Sequence, residues 1–207
     1  MKKFNTLNVV TTAMLTALAV ILARTFHHLA GGALGALFSP MHFPILVAGL
    51  LCGPYLGLIG GLFAPVLSFA MSGMPAFPNG LVPMAFELAA YGFFAGMFRS
   101  LFVKNNKVNK FASVIALVLS MVIGRAINAL VGAILMTATA GTPFFVNLWT
   151  KFIGNFTSTW LAIILQLVLI PALLFALKKG GILVKYIDDD IKPVSNNVET
   201  DQSAVQH

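Results

Sequence analysis

Two ionisable side chains, Glu87 and Arg125, lie deep within apolar segments of the sequence. At about 1.5 Å per helical residue, Glu87 lies about 10 Å inside one end of its segment, and Arg125 lies about 21 Å from the opposite end of its own. In a hydrocarbon core of about 30 Å these depths nearly coincide. Because charge within a membrane is costly, the pair predicts either a solute site or a buried ion pair that only fixes helix register.

Other polar side chains fall at a similar depth on several segments. Tyr91 follows Glu87 at i+4 and shares its helix face. The remaining ones are His42, Asn79, Asn128, Asn155 and Thr159. Each alone has a structural interpretation, such as interfacial anchoring or a hydrogen bond between helices. Together they predict a substrate-binding pocket with apolar walls and a few convergent polar groups, which suits a vitamin-sized molecule.

The sequence lacks the parts that an enzyme needs. It contains no Gly-x-x-x-x-Gly-Lys-Ser/Thr loop, so this chain is not expected to bind ATP in the P-loop manner. His27 and His28 are adjacent and lack the i, i+4 spacing of two zinc ligands on a helix. Cys52 is the single cysteine, which excludes a disulfide framework and a cysteine-based zinc cluster. We therefore expect no catalytic residues and no metal site.

The composition points to a membrane protein. Of 207 residues, 58% are apolar and only 9% are charged, which excludes a soluble enzyme. The formal charge is +7, but the positive residues lie at the ends of apolar runs and form no aromatic-interleaved basic face. Membrane topology explains this charge better than a nucleic-acid partner does.

Apolar runs and their breakers predict an all-α membrane protein with six transmembrane helices. The spans are placed at about residues 7–23, 41–51, 55–71, 81–103, 111–138 and 152–177. The second span is short, so we expect it to begin earlier or to cross partly buried among its neighbours. We place the membrane domain at residues 1–187, followed by a polar, disordered cytoplasmic tail at 188–207.

The lysines and arginines orient these spans. With six spans, three basic clusters fall on one side of the membrane, and they comprise Lys2 and Lys3, then Arg99, Lys104, Lys107 and Lys110, then Lys178, Lys179 and Lys185. The opposite side keeps only Arg24 and Lys151 near its surface. The positive-inside rule therefore predicts that the N and C termini are both cytoplasmic. A secretory signal peptide at residues 1–25 is the alternative interpretation.

The sequence also contains a long connection after the first span and stripes of small residues on several spans. Residues 25–39 form a predicted long outer connection with three glycines, which is typical of a lid. Small residues also recur at spacing four, and the glycine pairs predict close packing within the bundle. On span one, Ala13 and Ala17 form a smooth stripe with Thr12 and Thr16, which either packs internally or docks another membrane protein.

Several motifs resemble those of the substrate-binding S components of energy-coupling factor (ECF) transporters. They are PMHFPILVAGLLCGP at residues 40–54, SGMP at 72–75 and FELAAYG at 86–92, with Gly57 and the Gly60–Gly61 pair between them. The similarity covers residues 5–180, and within the family the sequence is most similar to the pantothenate-specific type. Six spans with both termini inside fit that family.

This resemblance implies a protein of the bacterial plasma membrane that captures a vitamin from outside. It implies docking on a transmembrane coupling protein that is driven by two cytoplasmic ATPases, which bind the ATP, so that this chain carries no cofactor. The family's first helix meets the coupling protein through an alanine-x-x-x-alanine motif, which Ala13 and Ala17 match. The family's loop between spans one and two closes over the substrate, and residues 25–39 occupy that position.

For pantothenate, the resemblance implies that Arg125 pairs with the carboxylate and that His42, Asn128, Asn155 and Thr159 hydrogen-bond the rest. Glu87 has no evident role on an anion. A basic ring such as pyridoxine or hydroxymethyl aminopyrimidine is the alternative substrate, with Glu87 as its ligand. The other alternative is a non-transporting membrane scaffold in which Glu87 and Arg125 only pair.

Overall fold

The computed structural model describes residues 6–104 and 112–179 as seven α-helices, and no strand occurs among them. In chain order the helices are α1 (Thr6–Phe38), α2 (His42–Cys52), α3 (Pro54–Ser72), α4 (Leu81–Lys104), α5 (Ala112–Ala140), α6 (Phe144–Ser158) and α7 (Trp160–Lys179). The predicted all-α class is confirmed for this part of the chain.

The chain forms two compact units, Met1–Pro171 and Ala172–His207. The first contains α1 to α6 and the first half of α7, and it carries every residue of the site described below. The predicted tail at 188–207 lies outside the described residues, as do Lys107, Lys110 and Lys185, on which the orientation partly rests. The cytoplasmic termini and the domain boundary therefore stay predictions.

The described helices support four or five membrane spans. Four are long and apolar enough to cross a bilayer: α1 over Thr6–His27, α3, α4 and α5. The pair α6 and α7 passes the same test together, but it is bent by 56° at its junction. With 11 residues, α2 is about 16 Å long, well short of a hydrocarbon core of about 30 Å. Six complete spans thus remain a prediction.

Helix α2 lies at the centre of the helical packing. It begins at His42, not before Met41, because Ser39 at φ 40° and Pro40 make a turn ahead of it. Ten of its eleven residues are buried, and it packs against α1, α3 and α4. This short helix is therefore buried among its neighbours, and whether it completes a second span stays a prediction.

The predicted outer loop at residues 25–39 is wrong, because α1 continues as helix to Phe38. Extending an existing helix adds one hydrogen bond per residue without a new nucleation step. Gly31, Gly32 and Gly35 each cost about 1 kcal/mol relative to alanine, but alanines and leucines between them favour helix. The helix ends only at the Ser39–Pro40 turn.

Glycines let the backbones of α2, α3 and α4 touch. A Cβ atom added to Gly92 would overlap the backbone of Gly57, and one added to Gly49 would overlap the carbonyl of Gly92. Around these contacts lies an apolar core that comprises Ala19, Met41, Ile45, Ala64 and Leu88. The prediction that the glycine pairs pack within the bundle is confirmed at these positions.

Gly92→Ala is expected to lower the free energy of unfolding by about 1–3 kcal/mol, because the new methyl group forces α3 and α4 apart. The measurement is thermal unfolding of the purified chain in detergent. Gly154→Ala is the matched control: it is also helical, and an added Cβ there meets nothing within 4 Å. The control should unfold at the same temperature as the wild type or slightly higher. Equal unfolding temperatures for the two variants would contradict the close approach.

Candidate functional site

Polar side chains from α2, α4, α5 and α6 surround one cavity of about 270 Å³. Seven of the eight predicted substrate-binding residues line it, namely His42, Asn79, Glu87, Arg125, Asn128, Asn155 and Thr159. The eighth, Tyr91, lies behind Glu87. Residues far apart in the sequence therefore meet at one place, as their similar depth predicted.

The carboxylate of Glu87 is held by three neighbouring side chains. The Tyr91 hydroxyl donates to Oε1 at 2.8 Å, and the Asn128 amide donates to Oε2 at 2.7 Å. The His42 Nε2 atom lies 3.6 Å from Oε2. Both carboxylate oxygens thus have partners within the protein, so Glu87 can orient Asn128 at the cavity wall.

Tyr91 supports this arrangement from inside the helix packing. Its ring is fully buried and stacks edge-on to His42 at a centroid distance of 5.3 Å. A Cβ atom at Gly124 would overlap this ring, so the glycine gives Tyr91 room against α5. Tyr91 therefore contacts Glu87 from behind and does not line the cavity.

Arg125 is only 2% exposed and uses one of its three guanidinium nitrogens. Nη1 donates to the backbone carbonyl of Asn155 at 2.6 Å and to the Thr159 hydroxyl. The guanidinium carbon lies 5.6 Å from the centroid of the Phe156 ring. Nε and Nη2 have no hydrogen-bond partner. Buried donors without partners are costly, so an acceptor placed beside Nε and Nη2 would stabilise this guanidinium.

Glu87 and Arg125 do not form a direct ion pair. The basic nitrogen that lies within 4.0 Å of the Glu87 carboxylate is His42 Nε2, at 3.6 Å from Oε2. The two residues are connected instead through asparagines, since the Asn155 amide donates to Asn128 Oδ1 at 3.0 Å. The structure therefore does not contain the salt bridge between Glu87 and Arg125 that one of the two predicted alternatives required to fix helix register.

The predicted sixth span is broken at the site. Helix α6 ends at Ser158, Thr159 has φ −125° and ψ 19°, and α7 starts at Trp160. The Asn155 carbonyl, which would accept the i+4 backbone bond of a continuous helix, accepts from the side chains of Arg125 and Thr159. Side chains that insert into the helical hydrogen-bond pattern are a known cause of sharp bends.

Asn79 lies on the connection between α3 and α4 and lines the cavity. Its amide donates to the Thr139 hydroxyl on α5 at 3.4 Å. Pro75 and Gly80 of the same connection also line the cavity. This connection and the turn at Ser39 are thus non-helical segments at the site, whereas residues 25–38 are helical.

Sequence reasoning missed several lining residues, of which Lys151 is the most informative. The positive-inside argument treated Lys151 as a marker of the outer surface. A usable signal existed, because Lys151 precedes Asn155 by four residues and therefore shares its helix face. Pro83 and Met84 were also missed and carry no comparable signal, whereas Ser39 ends the segment that was expected to close over the substrate.

Helix α1 carries an alanine face that no other described helix covers. Ala13 and Ala17 are exposed, whereas Thr12 and Thr16 are buried against α3, where a Cβ at Gly60 would approach the Thr16 hydroxyl to 2.8 Å. In the apolar stretch of α1 only 22% of the residues are buried, whereas 61% are buried in the apolar stretch of α4. The stripe is therefore divided: its threonines pack internally and its alanines face outward.

Comparison with known proteins gives one finding. The model of the family described as ECF transporter, substrate-specific component matches residues 7–185. The searches of curated proteins and of solved structures gave no match.

Proposed function

The chain belongs to the family of substrate-specific components of ECF transporters, and on that premise we propose that it captures pantothenate from outside the cell for ATP-driven uptake. The family is a transport subunit and not an enzyme, and membership implies association with an ECF module and a small-molecule substrate. The apolar helices agree with a multi-pass membrane protein. We place this chain in a bacterial plasma membrane.

One observation carries the choice of an anionic vitamin. The cavity contains a buried guanidinium whose Nε and Nη2 lack hydrogen-bond partners. A carboxylate is the group that best satisfies such paired donors. Glu87, by contrast, already accepts from Tyr91 and Asn128 and lies near His42, which argues against its use by a basic ring.

The size of the cavity favours a small ligand. Its volume of about 270 Å³ lies just below the range for small-molecule sites, which is about 300–1,000 Å³. Asn128, Asn155 and Thr159 present amide and hydroxyl groups beside the guanidinium. This combination suits a flexible acid with hydroxyls and one amide, which describes pantothenate.

For the transport step we propose that the exposed face of Ala13 and Ala17 docks on a transmembrane coupling protein. Small side chains let two helices approach closely in a membrane, where packing drives association. The two ATPases of the module bind the ATP, and this chain holds no cofactor. The exposure of both alanines supports this assignment.

Titration calorimetry of the purified chain in detergent, without partner subunits, tests the proposed substrate. Pantothenate is compared with pyridoxine, hydroxymethyl aminopyrimidine, niacin and riboflavin. We expect saturable binding of pantothenate and at least tenfold weaker binding of the others. Tight binding of a basic ring would instead assign the site to Glu87, and no binding of any compound would favour a scaffold.

A further inference from the structure

Lys151 lies on a polar stripe of α6 that faces the cavity. Polar residues recur at every fourth position, as Asn147, Lys151, Asn155 and Thr159, and so share one face. The apolar side chains of Val146, Trp149 and Ile153 are exposed on other faces. In a membrane segment, polar groups turned inward mark a solute or ion site.

Lys151 lies one helical turn from Asn155, a residue that Arg125 contacts. Asn155, one helical turn further along, accepts the Arg125 hydrogen bond through its backbone carbonyl. The lysine stem is held between helices, since a Cβ at Gly132 would lie 3.6 Å from Lys151 Cδ and 3.7 Å from Pro83 Cγ. Lys151 and Arg125 line the same cavity.

The charge around the cavity is unbalanced. Two cations, Lys151 and Arg125, and one carboxylate, Glu87, line it, which leaves a formal charge of +1 with His42 neutral. Among the described residues, no hydrogen bond or ion pair involves Lys151. Partly buried positive charge without a counter-charge is costly, and an anionic ligand would relieve that cost.

We propose that Lys151 and Arg125 together bind the carboxylate of the transported ligand, which makes Lys151 a second specificity-determining residue. This inference rests on the proposed function, because it assigns a further residue to the same ligand. Arg125 supplies directional donors at a fixed position, and Lys151 supplies a compact point charge at the end of its stem. The arrangement selects acids over neutral compounds of the same shape.

The test compares Lys151→Met with Lys151→Arg in the full chain by calorimetry. The ligands are pantothenate and pantothenyl alcohol, in which a neutral hydroxymethyl group replaces the carboxylate. Lys151→Met should weaken pantothenate binding by about 10- to 100-fold and should change alcohol binding by less than about threefold. Lys151→Arg should retain most of the affinity for pantothenate.

Arg24→Met is the matched control, because it removes one positive charge from α1 at a residue that does not line this cavity. Its affinity for both ligands should equal that of the wild type. Thermal unfolding checks that each variant is folded. If Lys151→Met binds pantothenate as tightly as the wild type does, the role of Lys151 is overturned while the proposed substrate stands.

Further outcomes separate the two proposals. If the wild-type protein binds niacin but not pantothenate, and the Lys151→Met protein no longer binds niacin, pantothenate is wrong as the substrate. The two-cation site is then supported. Wild-type protein that binds only a basic ring or a neutral compound would overturn both. An equal loss of acid and alcohol in Lys151→Met would assign Lys151 to the cavity wall and overturn its role in carboxylate selection.

Discussion

Ala13→Trp is expected to reduce vitamin uptake by whole cells to background while leaving the dissociation constant of the purified chain unchanged. The alanine is exposed on α1, and a tryptophan there would hold a partner helix away from the backbone. The cavity is lined from other helices, so ligand binding should survive. Uptake of radiolabelled pantothenate in cells that also produce an ECF module measures the effect, and Ala17→Trp should behave in the same way.

Ala70→Trp provides the comparison for Ala13→Trp. Ala70 is also an exposed alanine, but it lies on α3. The Ala70→Trp protein should show normal uptake and should still copurify with the module, because the proposed docking face lies on α1. Normal uptake by the Ala13→Trp protein, produced at the wild-type level, would remove α1 from the docking surface.

Arg125→Ala is expected to weaken binding of pantothenate by about 1.5–3 kcal/mol, the usual contribution of a hydrogen bond to a charged group. The variant loses the buried donors Nε and Nη2 together with the positive charge. Calorimetry of the purified chain measures this loss. The affinity for pantothenyl alcohol should fall much less, because the alcohol lacks the carboxylate that the guanidinium would bind.

Arg125 also bonds the Asn155 carbonyl at the junction of α6 and α7, so the fold of its variants must be checked. Arg125→Lys keeps the charge but lacks the forked donors, and it should bind pantothenate with an affinity between those of the wild type and Arg125→Ala. Its unfolding temperature reports the structural part of the effect. An unchanged dissociation constant in a folded Arg125→Ala protein would place the ligand elsewhere.

Much of the candidate site could be predicted because each polar residue is conspicuous in an apolar segment. Glu87, Arg125 and the asparagines were found by depth alone, and the structure gathers them around one cavity. Lys151 was missed because a lysine near the end of a span also has a topological explanation. Tyr91 was placed on the correct face of α4, but depth could not distinguish contact with a ligand from contact with Glu87.

Two errors in the fold prediction have identifiable physical causes. Three glycines in residues 25–39 suggested a loop, whereas helix extension from α1 outweighs their cost. The break at Thr159 carries no glycine or proline in the sequence. It depends on the Arg125 side chain from another helix, so no pattern within residues 152–177 could predict it.

The sequence by itself determined the helical class, the membrane environment, the family resemblance and the candidate polar residues. The family resemblance follows from motifs at residues 40–54, 72–75 and 86–92. The other properties follow from composition and from the cost of placing a charge in hydrocarbon, which can be evaluated one segment at a time. Only the tertiary structure decided that Glu87 is satisfied by His42, Tyr91 and Asn128 while Arg125 keeps free donors. Partner choice depends on how each helix is rotated, at about 100° per residue, and helix rotation is set by packing against other helices.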